Sequence, residues 1–299
     1  GTNAHLRPEV AGRLTSVSFF TGSEARPAIE EGRAEFIPVF LSDIPALFTR
    51  GVIRLDAAIV QLSPADRHNV HTLGTSADAA RAAVDSAPLI IAEINARMPR
   101  TSGNTSVPAR KVSFACSTDR PLPTGRRPVI GPVESRIGEL IAELVEDGAT
   151  LQMGIGAIPD AVLARLGNKQ ELGVHTEMFS DGLIDLIEGG VITNSRKSVH
   201  PGRTVTSFIS GSQRLFDFVH ENSLVEFHGC DRTNDTALIR KNHRVTAINS
   251  ALAVDLSGQV CADSIGHRIY SGIGGQMDFI RGAALSHGGK PIIALPSTA

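Results

Sequence analysis

The sequence predicts an α/β protein with mostly parallel sheets covered by helices, divided into two domains. Short β-rich runs alternate with helical patterns along the chain, which is typical of this class. The chain has 299 residues, 41% hydrophobic and 20% charged, enough to bury one large core or two smaller ones. The stretch "STDRPLPTGRRPVIGP" (117–132) carries four prolines and no periodicity, as interdomain linkers do. We therefore place a boundary at 125, giving domains 1–125 and 126–299.

The first domain begins with two predicted strands, "RLTSVSFF" and "AEFIPVF". A short helix in "SDIPALFTRG" follows, and then a strand in "LDAAIVQLS" that ends at the polar turn "PADRHN". The next helix is predicted in "TSADAARAAVDSA", where alanines favour a helix and Thr75 or Ser76 is available as the N-cap. A short buried strand, "PLIIAEIN", continues the alternation.

The second domain begins with an amphipathic helix in "ESRIGELIAELVEDGAT". Its apolar residues recur at helical spacing, which places four of them on one face: Ile137, Leu140, Ile141 and Leu144. A strand in "TLQMGI" and a helix in "IPDAVLARLG" follow, and the helix is expected to stop at the glycine.

A single strand is predicted over "LGVHTEMF", followed by a helix in "SDGLIDLIEGG". Ser180 or Asp181 opens this helix and Gly189 closes it. Further along, "RVTAINSALAVDLSGQV" has the pattern of a β-hairpin whose turn is "DLSG". No repeat of solenoid period is present.

Composition argues against several classes of function. The formal net charge is -2, so no electrostatic attraction to nucleic acid or to an anionic membrane is expected. No apolar run approaches the roughly 20 residues that span a bilayer, and the start lacks the pattern of a secretory signal. The three cysteines are far apart and in no metal-ligand spacing, which favours structural thiols in the cytoplasm: Cys116, Cys230 and Cys261.

Two glycine-rich turns stand out in the second half. In "LQMGIGAIPDAV", Gly154 and Gly156 follow a strand and precede a helix; in "YSGIGGQMDFIRGAALS", three glycines lead into another helix: Gly272, Gly274 and Gly275. Glycine lets backbone N–H groups approach a ligand closely, and a helix N-terminus favours negative charge. Neither turn has the spacing of a nucleotide fingerprint, and tight packing explains such a turn equally well. Together they indicate an anion-stabilising pocket.

Glu177 lies in "HTEMF" among apolar neighbours, without a nearby lysine or arginine in sequence. Its carboxylate has several interpretations: a solvated or capping group at a helix N-terminus, a general base, a metal ligand or a nucleophile. His175 shares its strand face, but no third ligand has an obvious spacing, so no metal site is expected. A nucleophilic carboxylate flanked by backbone N–H donors fits acyl transfer.

Long blocks of the sequence resemble the acetyl-CoA hydrolase/transferase family, and in particular its 4-hydroxybutyrate CoA-transferase branch. In the second half they are "LQMGIGAIPDAV", "LGVHTEMFSDGLIDLIEGGVITN", "VEFHGCDRTND", "INSALAVDLSGQVCADSIG" and "YSGIGGQMDFIRGAALSHGGKPIIALPSTA". In the first half "DAAIVQLSPADRHN" and "AEINARMPRTSGN" also match. The resemblance implies two related open α/β/α domains with the active site in the cleft between them.

The resemblance also implies a ping-pong reaction that exchanges CoA between an acyl-CoA and a short-chain carboxylate. Glu177 would be the nucleophile, and the backbone N–H groups of Ile155 and Gly272 would be the oxyanion donors. Acyl-CoA and the carboxylate are then substrates, no cofactor is bound permanently, and a homodimer is expected.

The remaining implied site residues border the same cleft. Five would hold the thioester end of CoA or its pantetheine arm, with packing as the alternative: Gly154, Gly156, Gly274, Gly275 and Gln276. Asn249 and Ser250 would line the cleft, with a turn as the alternative role. From the first domain, Met98, Pro99 and Arg100 would border the substrate channel, although a surface arginine is common.

Family members are longer, and their first domain opens with a glycine-rich strand and helix that precede the start of this chain. The chain is therefore expected to be truncated at both ends. Three other functions stay open: an acyl-CoA hydrolase using the same glutamate, an inactive CoA-binding or structural fragment, and, more remotely, a dinucleotide-dependent oxidoreductase.

Overall fold

The computed structural model describes residues 4–125 and 128–297, so the predicted boundary at 125 adjoins residues 126–127, which lie outside the described residues. The α-helices are α1 Arg26–Glu30, α2 Ile44–Thr49, α3 Ala80–Ser86, α4 Pro132–Leu144, α5 Ala157–Leu163, α6 Gly182–Glu188, α7 Gln213–Val219, α8 Cys230–Thr233, α9 Thr236–Ile239 and α10 Gln276–Leu285. Within the described residues, no helix has the length and apolar character needed to cross a bilayer.

Short strands alternate with these helices. They are β1 Ser16–Ser18, β2 Ala34–Phe36, β3 Ala58–Leu62, β4 Val70–Thr72, β5 Ile90–Asn95, β6 Ser102–Gly103, β7 Ser106–Pro108, β8 Phe114–Thr118, β9 Thr150–Met153, β10 Gly173–Val174, β11 Met178–Phe179, β12 Thr204–Thr206, β13 Phe208–Ile209, β14 Val225–Phe227, β15 Val245–Ser250, β16 Ala253–Val254, β17 Val260–Cys261, β18 Ser264–Ile265, β19 Arg268–Ile269 and β20 Lys290–Ala294.

Two parallel sheets organise the two halves. The first has the strand order β3-β5-β8 and the second the order β10-β9-β15-β20. Parallel pairing requires a crossover between strands, and helices supply it here, for example α3 between β3 and β5. The predicted α/β class with mostly parallel sheets is confirmed.

A third sheet joins the two halves, in the order β12-β14-β6. Strand β6 comes from the first half and pairs in parallel with β14 from the second. Gly103 has a φ of +96°, and a Cβ at this position would lie 2.3 Å from the carbonyl oxygen of Phe227. The close pairing therefore requires glycine.

Helix α4 confirms the predicted helix but buries only part of the predicted face, since Ile137 and Ile141 pack against the core and the two leucines do not. Leu140 and Leu144 are 47% and 48% exposed, whereas Gly138 and Ile141 are buried. The reason is close packing on α5: a Cβ at Gly138 would lie 2.8 Å from the carbonyl carbon of Ala161. The small residues of α4 bring the two helices together, and two of the predicted core leucines are left outside.

Three local predictions can also be compared with the structure. The N-cap prediction for α3 is wrong: the N–H of Ala80 is bonded by Asp78 Oδ1 at 3.0 Å, and the Ser76 hydroxyl donates to Asp78 instead. The turn "DLSG" does connect a hairpin, β16–β17. The single strand predicted over "LGVHTEMF" is wrong, because it divides into β10 and β11, which pair in different sheets.

Candidate active site

Glu177 lies in the break between β10 and β11, and its backbone is fixed. Its carbonyl oxygen accepts hydrogen bonds from the N–H groups of Ser207 and Phe208, at 2.9 and 3.1 Å, and from the hydroxyl of Thr206 at 3.0 Å. The N–H of the preceding Thr176 donates to Val205. These bonds explain why the strand does not continue through Glu177, and they fix the backbone that carries its side chain.

The Glu177 side chain is partly buried and has one hydrogen-bond donor, the amide Nδ2 of Asn234, at 2.9 Å from Oε2. Within residues 4–125 and 128–297, no lysine or arginine forms an ion pair with it. The second glycine turn lies directly against it: a Cβ at Gly275 would lie 1.7 Å from Oε2. Gly275 is the N-cap of α10, so the carboxylate sits at the positive end of that helix.

The environment raises the pKa of Glu177 to about 7. Burial is the largest cause, and the charges of Asp278 and Asp78 add to it, whereas the hydrogen bond from Asn234 lowers the pKa. Roughly half of the Glu177 side chains are therefore ionised at neutral pH. A carboxylate that is costly to ionise and lacks a cation is a stronger nucleophile than a solvated one.

The second glycine turn is packed against the first half of the chain. A Cβ at Gly272 would lie 2.8 Å from the carbonyl oxygen of Phe19, and the N–H of Leu41 donates to the carbonyl of Gly274 at 3.2 Å. Gly274 has a φ of +59°, which favours glycine. Residues from both halves therefore wall the space around the Glu177 carboxylate. Gln276 follows as the first residue of α10.

The first glycine turn borders a different space. The N–H of Gly154 donates to the carbonyl of Ile248 at 2.9 Å, and Gly156, with a φ of +116°, is the N-cap of α5. Ile155 is 66% exposed, and its N–H donates to no other residue in the described part of the chain. Ile155 and Gly156 line a cavity of about 760 Å³ together with Met178, and Glu177 is not among its lining residues.

The other predicted site residues occupy separate places. Asn249 is buried in a reciprocal amide pair with Gln152, at 2.8 and 3.2 Å, and Ser250 is exposed at the end of β15. Both roles in the cleft stay predictions. The pair bridges the neighbouring strands β15 and β9 beside the Gly154 turn.

The predicted channel residues pack mainly within the first half, and the Arg100 backbone also bonds to His220 and Glu221 of the second half. Met98 is buried, and its sulfur would lie 2.1 Å from a Cβ at Gly74. Pro99 is buried beside it. The Arg100 guanidinium donates to the carboxylate of Asp66 at 3.0 Å and to the carbonyls of Pro64 and Val70. These contacts describe a structural role for Arg100, and its role in a channel stays a prediction.

From the sequence, neither Asn234 nor Asp278 was assigned to the site. Asp278 is in the first turn of α10 and accepts a hydrogen bond from the Ser42 hydroxyl at 3.0 Å. Its Oδ2 lies 3.5 Å from Asn234 Nδ2, the same nitrogen that bonds Glu177. Asn234 stands in the quoted block "VEFHGCDRTND", but only the fold brings it to the glutamate.

The His175 ring contacts the backbone of Thr233. Its Nε2 lies 2.8 Å from the carbonyl oxygen of Thr233, and burial lowers its pKa to about 3. In the described part of the chain, one histidine–carboxylate group has metal-ligand proximity: His200, Glu226 and His228. Arg232 lies 3.1 Å from Nε2 of His200, so a cation already neighbours this group.

Comparison with known proteins extends the resemblance read from the sequence. The N-terminal domain of the acetyl-CoA hydrolase/transferase family matches residues 10–122, and its C-terminal domain matches residues 211–299. The 4-hydroxybutyrate coenzyme A transferase of Clostridium kluyveri is 47% identical over 282 residues, or 94% of this chain. The succinyl-CoA:acetate/propanoyl-CoA:succinate CoA transferase of Fasciola hepatica is 47% identical over 292 residues, or 97% of this chain. The chain spans 66% and 61% of the lengths of these two relatives.

Solved structures agree with these matches. The crystal structure of RipA from Yersinia pestis superimposes with a TM-score of 0.91 at 34% identity, over 98% of this chain and 68% of that one. The predicted fold class and the predicted family are confirmed. This chain belongs to the acetyl-CoA hydrolase/transferase family.

Proposed function

We propose that the protein is a CoA-transferase that moves CoA between a short-chain acyl-CoA and a free carboxylate, with Glu177 as the covalent nucleophile. The observation that carries this proposal is the state of the Glu177 carboxylate. It is partly buried, it has a pKa of about 7, and its hydrogen-bond donor is neutral. A solvated surface acid or a helix cap would have an ordinary or lowered pKa.

The proposed reaction needs no proton transfer. A Glu177 carboxylate oxygen attacks the thioester carbon, the new C–O bond forms, and the CoA thiolate leaves with the C–S electron pair. The thiolate then attacks the Glu177 carbonyl carbon of the anhydride and expels the acyl group as its carboxylate. The acceptor acid attacks the resulting glutamyl-CoA thioester, and the same two steps in reverse release the new acyl-CoA.

The N–H groups near the carboxylate are suited to the oxyanions of these steps. Gly275 is the N-cap of α10, and within the described residues no acceptor takes the N–H of Gly272 or of Gly275. Backbone donors at the positive end of a helix stabilise an oxyanion without pairing with the nucleophile. We therefore propose the N–H of Gly272, in the second glycine turn, as one oxyanion donor. The N–H of Ile155, in the first glycine turn, remains the other proposed donor.

The substrates follow from the relatives by analogy. Their names specify 4-hydroxybutyrate, succinate, acetate and propanoate as the acids that exchange CoA. We propose an acid of this short-chain kind as the acceptor, together with a homodimer and a cytoplasmic location. CoA would be a substrate and not a resident cofactor.

The same glutamate would also serve an acyl-CoA hydrolase, in which water opens the glutamyl thioester. The two reactions differ in whether CoA release depends on the acceptor acid. The Glu177 surroundings favour transfer, because burial by both halves of the chain limits the access of water to the carboxylate. A folded chain that binds CoA without forming the thioester would be an inactive fragment.

The test is covalent trapping. The protein is incubated with butyryl-CoA, treated with borohydride, and mapped by peptide mass spectrometry. We expect reduction of a thioester at Glu177, with CoA exchange that depends on added acetate. CoA release at equal rates with and without acetate identifies the hydrolase, and CoA binding without any trapped peptide contradicts both enzymatic proposals.

Variants sharpen this test. Glu177→Gln keeps the shape of the side chain and removes the nucleophile, so exchange should fall by at least about 10³-fold, or roughly 4 kcal/mol of barrier. Glu143→Gln, at an exposed position of α4, is the matched control and should exchange at the unaltered rate. Exchange above about one per cent in Glu177→Gln would contradict the nucleophilic role.

A further inference from the structure

Two carboxylates, one partly buried and one buried, share one amide nitrogen in this site. Asn234 Nδ2 lies 2.9 Å from Oε2 of Glu177 and 3.5 Å from Oδ2 of Asp278. Asn234 is fully buried and Asp278 is 8% exposed. The orientation of the amide follows from these neighbours, because the opposite orientation would place its oxygen against two carboxylates.

One polar atom of this arrangement is buried without a hydrogen bond in the part of the chain that the structure describes, which costs free energy. The Asn234 Oδ1 atom is buried, and within the described residues it has no hydrogen-bond donor. Buried amide oxygens are normally satisfied, so an unsatisfied one calls for a role. The amide oxygen of Asn234 thus lacks a hydrogen bond within residues 4–125 and 128–297, while its amide nitrogen lies between the carboxylates of Glu177 and Asp278.

Asp278 is oriented for this contact from the first half of the chain. The Ser42 hydroxyl donates to Oδ1 at 3.0 Å, which leaves Oδ2 to face Asn234. Gly275 supplies the necessary space, because a Cβ there would lie within 2.1 Å of Asn234 Nδ2 as well as against Glu177. Ser42 thus fixes the orientation of Asp278, and Gly275 leaves room for the close approach of the pair.

We propose that Asn234 and Asp278 are positioning residues that hold Glu177 beside a second negative charge, so that its carboxylate is disfavoured relative to its neutral acyl and thioester adducts. This inference rests on the proposed function. Acylation of Glu177 removes its charge and with it the repulsion from Asp278. The pair therefore shifts the equilibrium towards the glutamyl-CoA thioester without touching the substrate.

The titration of the site agrees with this geometry. The charge of Asp278 raises the pKa of Glu177, and burial raises the pKa of Asp278 to about 6. The other ionisable groups facing the pair are also acidic: Asp78 acts on Glu177 and Asp43 on Asp278. The Cys230 thiol, whose pKa is raised by burial, stays protonated and adds no charge.

The first experiment measures the charge of Glu177 directly and needs no activity. The protein is labelled with glutamate carrying ¹³C at the carboxyl carbon, and the Glu177 resonance is identified by its loss in Glu177→Gln. We expect a titration near pH 7 in the unaltered protein and a midpoint lower by at least about 0.5 unit in Asp278→Asn. An unchanged midpoint in folded Asp278→Asn overturns the inference.

Three further variants make the result specific. Ser42→Ala removes the hydroxyl that stabilises ionised Asp278, so the midpoint of Glu177 should fall in the same direction, which provides a second test if Asp278→Asn folds poorly. Asp78→Asn, whose carboxylate shares no amide with Glu177, should give the smaller shift. Asp217→Asn, on the exposed side of α7, should give none, and a shift there equal to that of Asp278→Asn contradicts the inference.

The second experiment measures the thioester. At equilibrium with butyryl-CoA and at a pH well above 7, where free Glu177 is ionised, the ratio of borohydride-trapped to untrapped protein should fall about threefold in Asp278→Asn, as a 0.5-unit change implies. Asn234→Ala should lower kcat at least tenfold and change KM for acyl-CoA less than twofold. An unchanged trapped fraction with a shifted midpoint refutes the effect on the intermediate. Absence of trapping in the unaltered protein refutes the proposed function instead and leaves the titration result standing.

Discussion

At the scale of single residues, the sequence identified the acid but not its partners. Glu177 was recognisable because it lies among apolar residues and between two glycine turns, and because "HTEMF" resembles a family motif. Asn234 is 57 positions away and Asp278 lies within a helix, so no local pattern connects either to Glu177. Long-range hydrogen bonds between side chains depend on the tertiary fold, which a single sequence does not display.

Gly275 tests how closely the glycine turn constrains the nucleophile. A Gly275→Ala substitution would place a methyl carbon 1.7 Å from Oε2, so the carboxylate must move. A displacement of this size misaligns an attacking oxygen, and we expect kcat for CoA exchange to fall about 100-fold. Steady-state kinetics provide the measurement.

Gly22→Ala is the matched control, because a Cβ at Gly22 meets no atom within 4 Å. It should leave kcat within about twofold of the original value. Full activity in Gly275→Ala would show that the carboxylate does not depend on this close approach.

At the scale of elements, periodicity predicted most helices and strands. The predictions that failed did so for physical reasons. "LGVHTEMF" reads as one strand because Val174, Thr176 and Phe179 favour β-structure, but the bonds to the Glu177 carbonyl divide it. The face of α4 was only partly predicted: Ile137 and Ile141 pack against the core, whereas Leu140 and Leu144 are exposed because the close contact with α5 is made through Gly138. Tertiary contacts decided both outcomes.

The contact of α4 with α5 gives a stability prediction. Gly138→Val adds a branched side chain where even a Cβ lies 2.8 Å from Ala161, so the free energy of unfolding should fall by about 1–3 kcal/mol. Urea denaturation followed by circular dichroism measures the change. Glu143→Val, exposed on the same helix, introduces the same side chain without a close contact and should lose less than about 1 kcal/mol through helix propensity. Equal losses in the two variants would mean that the contact does not limit packing.

At the scale of the whole molecule, the site is assembled from both halves of the chain. Leu41 and Ser42 bond to Gly274 and Asp278, across more than two hundred positions. The resemblance correctly implied the family and its fold. It could not supply these contacts, because they depend on how the two halves meet.

The raised pKa of Glu177 also predicts how stability depends on pH. The folded protein holds this proton up to about pH 7, whereas the unfolded chain releases it near the ordinary value of 4.5. The contribution of Glu177 to stability is therefore fully present below pH 4.5 and is lost as the pH rises to 7. Glu177→Gln removes this loss, so its stability relative to the unaltered protein should increase between pH 5 and pH 8, by up to about 3 kcal/mol.

The difference between the two proteins is the informative quantity, because His175 and Lys197 have lowered pKa values and impose their own pH dependence on both. Urea midpoints at several pH values provide the measurement. A constant difference from pH 5 to pH 8 would indicate that the Glu177 carboxyl ionises normally in the folded protein.

Strand β6, which belongs to the first half but pairs with β14 of the second half, matters for protein engineering. Ser102–Gly103 completes a sheet whose other members follow the proline-rich bridge, and Gly103 fits against the backbone of Phe227. In a chimaera of two family members joined within that bridge, strand β6 would come from one parent and strands β12 and β14 from the other. Exchanging 102–103 along with the later segment would keep each sheet within one parental sequence.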